Sequence, residues 1–214
     1  MMLFDAPAVL PPQDEHPAYL ERIVDHLEQA RRSTPEQVLK EFLGAPADPA
    51  TLQVDGVHHV AVYAGDYVTE DDFDNWLASI EAFGAVRDVR HGPSYIAPRL
   101  YGTPGHWINL TVDGYEYELF NCRARGEWAT FSVRRKTALM SHHALSVNRP
   151  EQVLAMLDFL GARPGIEQLA YTPADEIGHT YGHLQSAETG LVLEVVYAGA
   201  PAYGAGPGHG AEAA

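Results

Sequence analysis

The chain has 214 residues, enough for one compact domain or for two small modules sharing a core. Its 14 Lys and Arg stand against 29 Asp and Glu, and the resulting net charge of -15 would repel a phosphate backbone, so nucleic acid is not an expected partner. The single cysteine, Cys122, excludes an intramolecular disulfide and every multi-cysteine zinc or iron–sulfur pattern, which leaves His and carboxylate to hold any metal.

No apolar run approaches the roughly 18 residues that span a bilayer, and Asp5 stands where a secretory leader would carry Lys or Arg. A cytoplasmic address without a membrane partner is expected. After a loose, proline-containing start, residues 16–43 read as helix, because Leu20, Ile23, Val24 and Leu27, then Val38, Leu39, Phe42 and Leu43, recur at helical intervals. Ser33-Thr34-Pro35-Glu36 divides that stretch, with Thr34 as N-cap, Pro35 at the first helical position, and Gly44 and Pro46 closing the second helix. Residues 45–50, rich in Ala and Pro, form a linker. The extension over residues 1–50 is expected to pack on the outside of the body and to contribute no ligand.

From Val54 the pattern changes to short strands and helices and runs through one order twice. In the first pass residues 57–64 alternate as a strand and residues 70–83 form a helix with Phe73, Trp76, Leu77 and Ile80 on one face, ended by Gly84. Strands follow at 86–90, 106–112 and 115–122, with 95–105 as an irregular insertion. The second pass has a strand at 141–147, a helix at 150–160 closed by Gly161, and strands at 166–171, 180–186 and 191–197. Each half reads β-α-β-β-β. The expected fold is α+β, with modules over residues 51–135 and 136–198. Residues 199–214, mostly Ala, Gly and Pro, are expected to be a disordered tail.

Both opening strands carry His followed by small or apolar residues, His59-Val60-Ala61-Val62-Tyr63 and His142-His143-Ala144-Leu145-Ser146-Val147. Alternation sets His59, Ala61 and Tyr63 on one face, away from Val60 and Val62. Both closing strands follow a turn glycine and place Glu four residues beyond it, Glu118 after Gly114 and Glu194 after Gly190. A carboxylate among branched aliphatics, as Glu194 is between Leu193 and Val195, is costly unless paired or metal-bound. The His-to-Glu interval is 59 positions in the first half and 52 in the second, so the pairing repeats with the module.

Neighbours compete for these roles. His58 and His143 fall on the faces of Val60 and Leu145, opposite to His59 and His142. Glu116 shares the face of Glu118 and reads as a rim carboxylate, and Cys122 as a small buried hydrophobe. With Leu184 in the core, Tyr181, His183 and Gln185 turn toward the site, as do Trp107, Asn109 and Thr111 from the first half. Tyr63, His183 and Gln185 are the expected substrate-pocket residues.

The phrases HHVAVYAGD and HHALSV resemble the opening strand, and DGYEYELF and TGLVLEVV the closing strand, of the vicinal oxygen chelate superfamily, which includes glyoxalase I, extradiol dioxygenases, methylmalonyl-CoA epimerase and bleomycin and fosfomycin resistance proteins. The resemblance covers residues 54–197 and implies two βαβββ modules forming a cup-shaped mixed sheet, with the N-terminal helices as an addition. It also implies one divalent transition metal, Fe, Ni, Co, Zn or Mn, held by His59, Glu118, His142 and Glu194. The implied chemistry is that of a glyoxalase-like lyase or isomerase, acting on a small oxygenated substrate through a metal-stabilised enediolate, with Glu118 or Glu194 as base. Two alternatives stay open. One is an Fe(II) extradiol-type dioxygenase using His59, His142 and Glu194. The other is a binding or resistance protein that sequesters a small molecule without turnover. The expected partner is a small-molecule substrate, and a homodimer is an open possibility.

Overall fold

The computed structural model describes residues 3–94, 96–175 and 178–199. The tail expectation for 200–214, and Tyr95 at the start of the expected insertion, lie outside the described residues. Two helices lead, α1 (His16–Ala30) and α2 (Pro35–Leu43). Thr34 caps α2 in a reciprocal box with Gln37, and Gly44 closes it at φ 68°, the left-handed cap that glycine takes without strain.

The first module comprises β1 (Val54–Tyr63), α3 (Glu70–Ala82), β2 (Val86–Pro93), α4 (Ile96–Tyr101), β3 (Gly105–Val112) and β4 (Tyr115–Cys122). Between the modules lies α5 (Val133–Met140). The second comprises β5 (His142–Val147), α6 (Pro150–Gly161), β6 (Ile166–Thr172), β7 (Thr180–Ser186) and β8 (Val192–Tyr197). One eight-stranded mixed sheet runs β2-β3-β4-β1-β5-β8-β7-β6, so each half presents the same order outward from an antiparallel β1–β5 seam. The α+β class and the doubled βαβββ order match the sequence reading.

Several details differ. Gly84 does not cap α3, which ends at Phe83 in extended conformation, and Gly161 belongs to α6, whose cap is Ala162. The expected insertion contains the helix α4. The boundary between residues 135 and 136 falls inside α5, which its run of Arg and Lys conceals from hydropathy patterning. The N-terminal start is not loose throughout: Val9 bridges to Asp66, and Phe4, Ala6 and Leu10 are buried.

The two helices of the extension join separate halves of the core. Leu20, Ile23 and Leu27 of α1 pack in the cluster of the first module, and Val38, Leu39 and Phe42 of α2 in that of the second. Burying a Leu or Phe side chain in this way is worth about 1.5–3 kcal/mol. Among the described residues no helix is long and apolar enough to cross a membrane.

Just beyond β1 the chain turns through a buried polar knot. Asp66 receives Lys136 Nζ at 2.6 Å, Trp128 Nε1 at 2.7 Å and the Tyr63 hydroxyl at 2.5 Å. Sequence alternation assigns Tyr63 to the pocket lining. The structure instead buries it completely and commits its hydroxyl to Asp66.

Candidate metal centre

The seam strands β1 and β5 carry the histidines, and their parallel outer neighbours β4 and β8 carry the glutamates. Ala61 lies opposite Glu118 and Ala144 opposite Glu194, so in each module the residue two past the histidine is a methyl group beside the carboxylate. On a flat sheet β4 and β8 would be three strand spacings apart, about 14 Å. Glu118 and Glu194 nevertheless both reach His142 Nε2, at 3.8 and 3.0 Å, because β5 lies between their strands and all three side chains extend from one face of the sheet.

Around Glu194 Oε2 stand three imidazole nitrogens: His142 Nε2 at 3.0 Å, His59 Nε2 at 3.4 Å and His183 Nε2 at 3.4 Å. Glu118 Oε2 is farther out, 3.7 Å from His59 and 3.8 Å from His142. Ligand atoms of His59, His142 and Glu194 all lie within 4.8 Å of one another. Bonds of about 2.0–2.2 Å to a common ion would separate neighbouring ligand atoms by about 3.0–3.6 Å, which fits the distances of Glu194 to His142 and His59 and leaves Glu118 at the margin. Nε2 of His59 and Nε2 of His142 are buried without a hydrogen-bond partner. His142 Nε2 lies 3.0 Å from Glu194 Oε2, close enough to pair with it in the absence of an ion. Two buried ring nitrogens and a carboxylate converging in this way suit a divalent cation, and the all-His/Glu donor set suits Fe, Ni, Co, Zn or Mn.

The electrostatics show the same demand for positive charge. Burial would lower His59, but Glu194 and Glu118 outweigh it and push its pKa up to about 9. Burial works against Glu194 too, yet His59, His142 and His183 hold its carboxyl well below the usual range. His142 is pulled down to about 4 by burial and keeps its lone pair. Burial pushes Glu118 up to about 8 against the pull of His59. Without an ion, a proton on His59 supplies part of the charge that Glu194 requires.

His58 has a part that strand alternation misses. A register shift between Val57 and His59 breaks the ladder there, and His58 Nδ1 meets His59 Nδ1 at 2.9 Å. With His59 Nε2 offered as a lone pair, its Nδ1 carries the proton, His58 accepts it, and His58 keeps its own hydrogen on Nε2. His143 behaves as its register demands, packing toward α1 with Nε2 3.2 Å from the Ala30 carbonyl.

The other expected residues divide. His183, expected in the pocket lining, stands against Glu194 in the centre itself. Gln185 lies two residues on along the same face, opposite Val192 and Glu167. Glu116 sits at the rim, engaged by Arg90 at 3.4 Å and Asn109 at 3.3 Å. A pocket of about 200 Å3 adjoins His59, and Arg31 and Ser33 from the turn after α1 are in its wall. The extension therefore reaches the neighbourhood of the centre, contrary to the expectation that it stays outside.

No family model and no curated protein matches the sequence. Among solved structures, the chain is similar to methylmalonyl-CoA epimerase from Mycobacterium tuberculosis, at 15% identity and a TM-score of 0.43, over 67% of this chain and 88% of that one. It is similar to a mutant 4-hydroxymandelate synthase from Streptomyces coelicolor, at 14% identity and 0.41, over 65% and 47%. It is also similar to a methylmalonyl-CoA epimerase variant from Streptomyces coelicolor, at 14% and 0.41, over 69% and 99%. The observed topology itself, two βαβββ modules mirrored about one seam with a His and a Glu from each, is the architecture that the resemblance to the vicinal oxygen chelate superfamily implies.

Proposed function

We propose that the chain is a divalent-metal-dependent enzyme of the vicinal oxygen chelate type, a lyase or isomerase that moves a proton on a small oxygenated substrate. The observation that carries the reading is the inequality of the two carboxylates. Glu194 is 3.0 and 3.4 Å from the ring nitrogens of His142 and His59, whereas Glu118 is 3.8 and 3.7 Å from them. When bound, the metal would supply Lewis-acid stabilisation of negative charge on a substrate oxygen.

His59, His142 and Glu194 would hold the ion, with His183 fixing the Glu194 carboxylate. Glu194, surrounded by three imidazoles and held ionised, is unsuited to carrying protons. Glu118 is the better proton carrier, since it sits at the margin with one oxygen near both rings. Burial raises the proton affinity of its carboxyl in the metal-free site, and its place outside the tight set leaves an oxygen free to take a proton from carbon and return it. His58 keeps His59 in the tautomer that presents Nε2.

A second reading is favoured by the tight set itself. Two histidines and one carboxylate with open positions make the facial triad of Fe(II) oxygenases, and here Glu118 would stand aside. Elemental analysis of the purified protein, together with assays on small hydroxy- and oxo-carbonyl compounds in deuterium oxide, separates the two. The first reading expects nickel, cobalt, zinc or manganese and deuterium incorporation that Glu118→Gln abolishes without loss of metal. Iron with substrate-dependent oxygen consumption that survives Glu118→Gln would replace it with the dioxygenase.

A further inference from the structure

The two modules place unlike residues at equivalent positions around their glutamates. Asn109 of β3 lies directly opposite Glu118, and His183 of β7 lies directly opposite Glu194, so the two are counterparts. Two residues after the turn glycine of each closing strand stand Glu116 in the first module and Val192 in the second. Toward the sheet edges, Asn109 pairs with Arg90 of β2 and His183 with Ala170 of β6, each just past a slip in its ladder. The trio Arg90, Asn109 and Glu116 thus corresponds to Ala170, His183 and Val192.

This difference decides which way each side chain turns, because directly opposite and diagonal neighbours on one sheet face compete for the same partner. His183 has Ala170 beside it and Val192 on the diagonal, and its Nε2 turns to Glu194 Oε2 at 3.4 Å. Asn109 instead has an acidic diagonal neighbour. Arg90 engages Glu116 at 3.4 Å, and Asn109 Nδ2 donates to the other oxygen of that carboxylate at 3.3 Å. Oδ1 of Asn109 has no hydrogen-bond partner among the described residues, so neither end of the amide takes hold of Glu118. Glu118 keeps only His59 and His142 near it, at 3.7 and 3.8 Å.

We propose that Asn109 is a positioning residue, and that the Arg90–Glu116 pair, by turning its amide away from Glu118, keeps that glutamate outside the metal set. The inference rests on the function proposed above and goes beyond it by naming what makes the two carboxylates unequal. An imidazole in place of the Asn109 amide, with the diagonal carboxylate gone, would pin Glu118 as His183 pins Glu194. Two carboxylates pinned alike would leave neither free to carry a proton.

The test rewrites the first trio in the likeness of the second, with Asn109→His and Glu116→Val together in the full chain, and uses nickel in competition with a chromogenic chelator. In the parent protein Glu118→Gln should change nickel affinity by less than about twofold, whereas in the rewritten protein it should lower it by about 10–100-fold, the cost of losing an oriented ligand. Glu116→Gln, which keeps an acceptor for Asn109, should behave as the parent does, a distinction that a merely structural role for Glu116 would not produce. A large cost of Glu118→Gln in the parent, or a small cost in both backgrounds, would overturn the proposal. Metal-free crystal structures give a second readout. The introduced imidazole should lie at ion-pair distance from Glu118, and in Glu116→Val alone the Asn109 amide should turn to donate to Glu118. An amide that stays in place in Glu116→Val overturns the proposal even if the double variant does not fold. If the amide turns but the parent protein takes up no nickel, the proposed function fails and the positioning role stands; nickel uptake with an unmoved amide reverses that outcome.

Discussion

His183 Nε2 lies 3.4 Å from Glu194 Oε2, the same separation as His59 Nε2 from that oxygen. Its neighbour across the β7–β8 ladder is Glu194, so it is held there by sheet register. His183→Ala should weaken metal binding by about 10–100-fold, the usual cost of losing a group that orients a ligand, and should leave a site that still fills at high metal concentration. Competition against a chromogenic chelator reads this directly, and unchanged affinity would remove His183 from the centre.

Adjacent histidines on β5 should part company on substitution. His142→Ala removes a ligand and should abolish metal uptake while the circular dichroism spectrum stays native, since the helix-side core is supplied by the opposite strand face. His143→Ala takes away the contact to the Ala30 carbonyl that ties α1 to the sheet, and should lower thermal stability with metal content intact. Loss of metal in His143→Ala alone would mean that the facing of β5 is the reverse of that described.

The metal-free protein should lose stability on both sides of neutrality. Burial holds His58, His142 and His143 at about 4, so between about 6.5 and 4 the unfolded chain binds protons that the folded one refuses, and stability falls as pH drops. His59, raised to about 9, and Glu118, raised to about 8, keep protons that the unfolded chain has released, so stability falls again as pH rises toward 9. A saturating divalent ion replaces the proton on His59 and should flatten the alkaline arm. Melting temperatures from pH 4 to 9, with chelator and with metal, decide the matter; a chelated protein equally stable at pH 7 and 9 would contradict it.

Lys136 and Asp66 form an ion pair at 2.6 Å with side chains 5% and 1% exposed. Lys136→Ala leaves a buried carboxylate with only the Tyr63 and Trp128 donors, and should cost about 3–5 kcal/mol in denaturant unfolding. The double change Lys136→Met with Asp66→Asn, which removes both charges, should recover part of that loss. Equal losses in the two variants would assign the effect to packing instead of charge.

What is legible in the sequence is what local rules encode. Alternation puts His59 and His142 on the cup face, and a turn glycine four residues back marks Glu118 and Glu194. What stays hidden depends on partners distant in the chain. His183 reaches the centre only through its register with β8, and His58 turns toward His59 only because the β1–β5 ladder slips there. Tyr63 has the facing that its position dictates, but Asp66, three residues on, captures its hydroxyl. The helix α5 carries Arg134, Arg135 and Lys136 in succession, and nothing local announces that the third of these is buried beside Trp128.

The centre draws His59 and Glu118 from one side of the β1–β5 seam and His142, His183 and Glu194 from the other, so neither half of the chain owns it. An ion held there would act as a clasp between two modules whose sheet is continuous only through that single ladder. Splitting the chain in the segment before α5 would leave His59 on one fragment and His142 with Glu194 on the other, and the metal would then report their reunion.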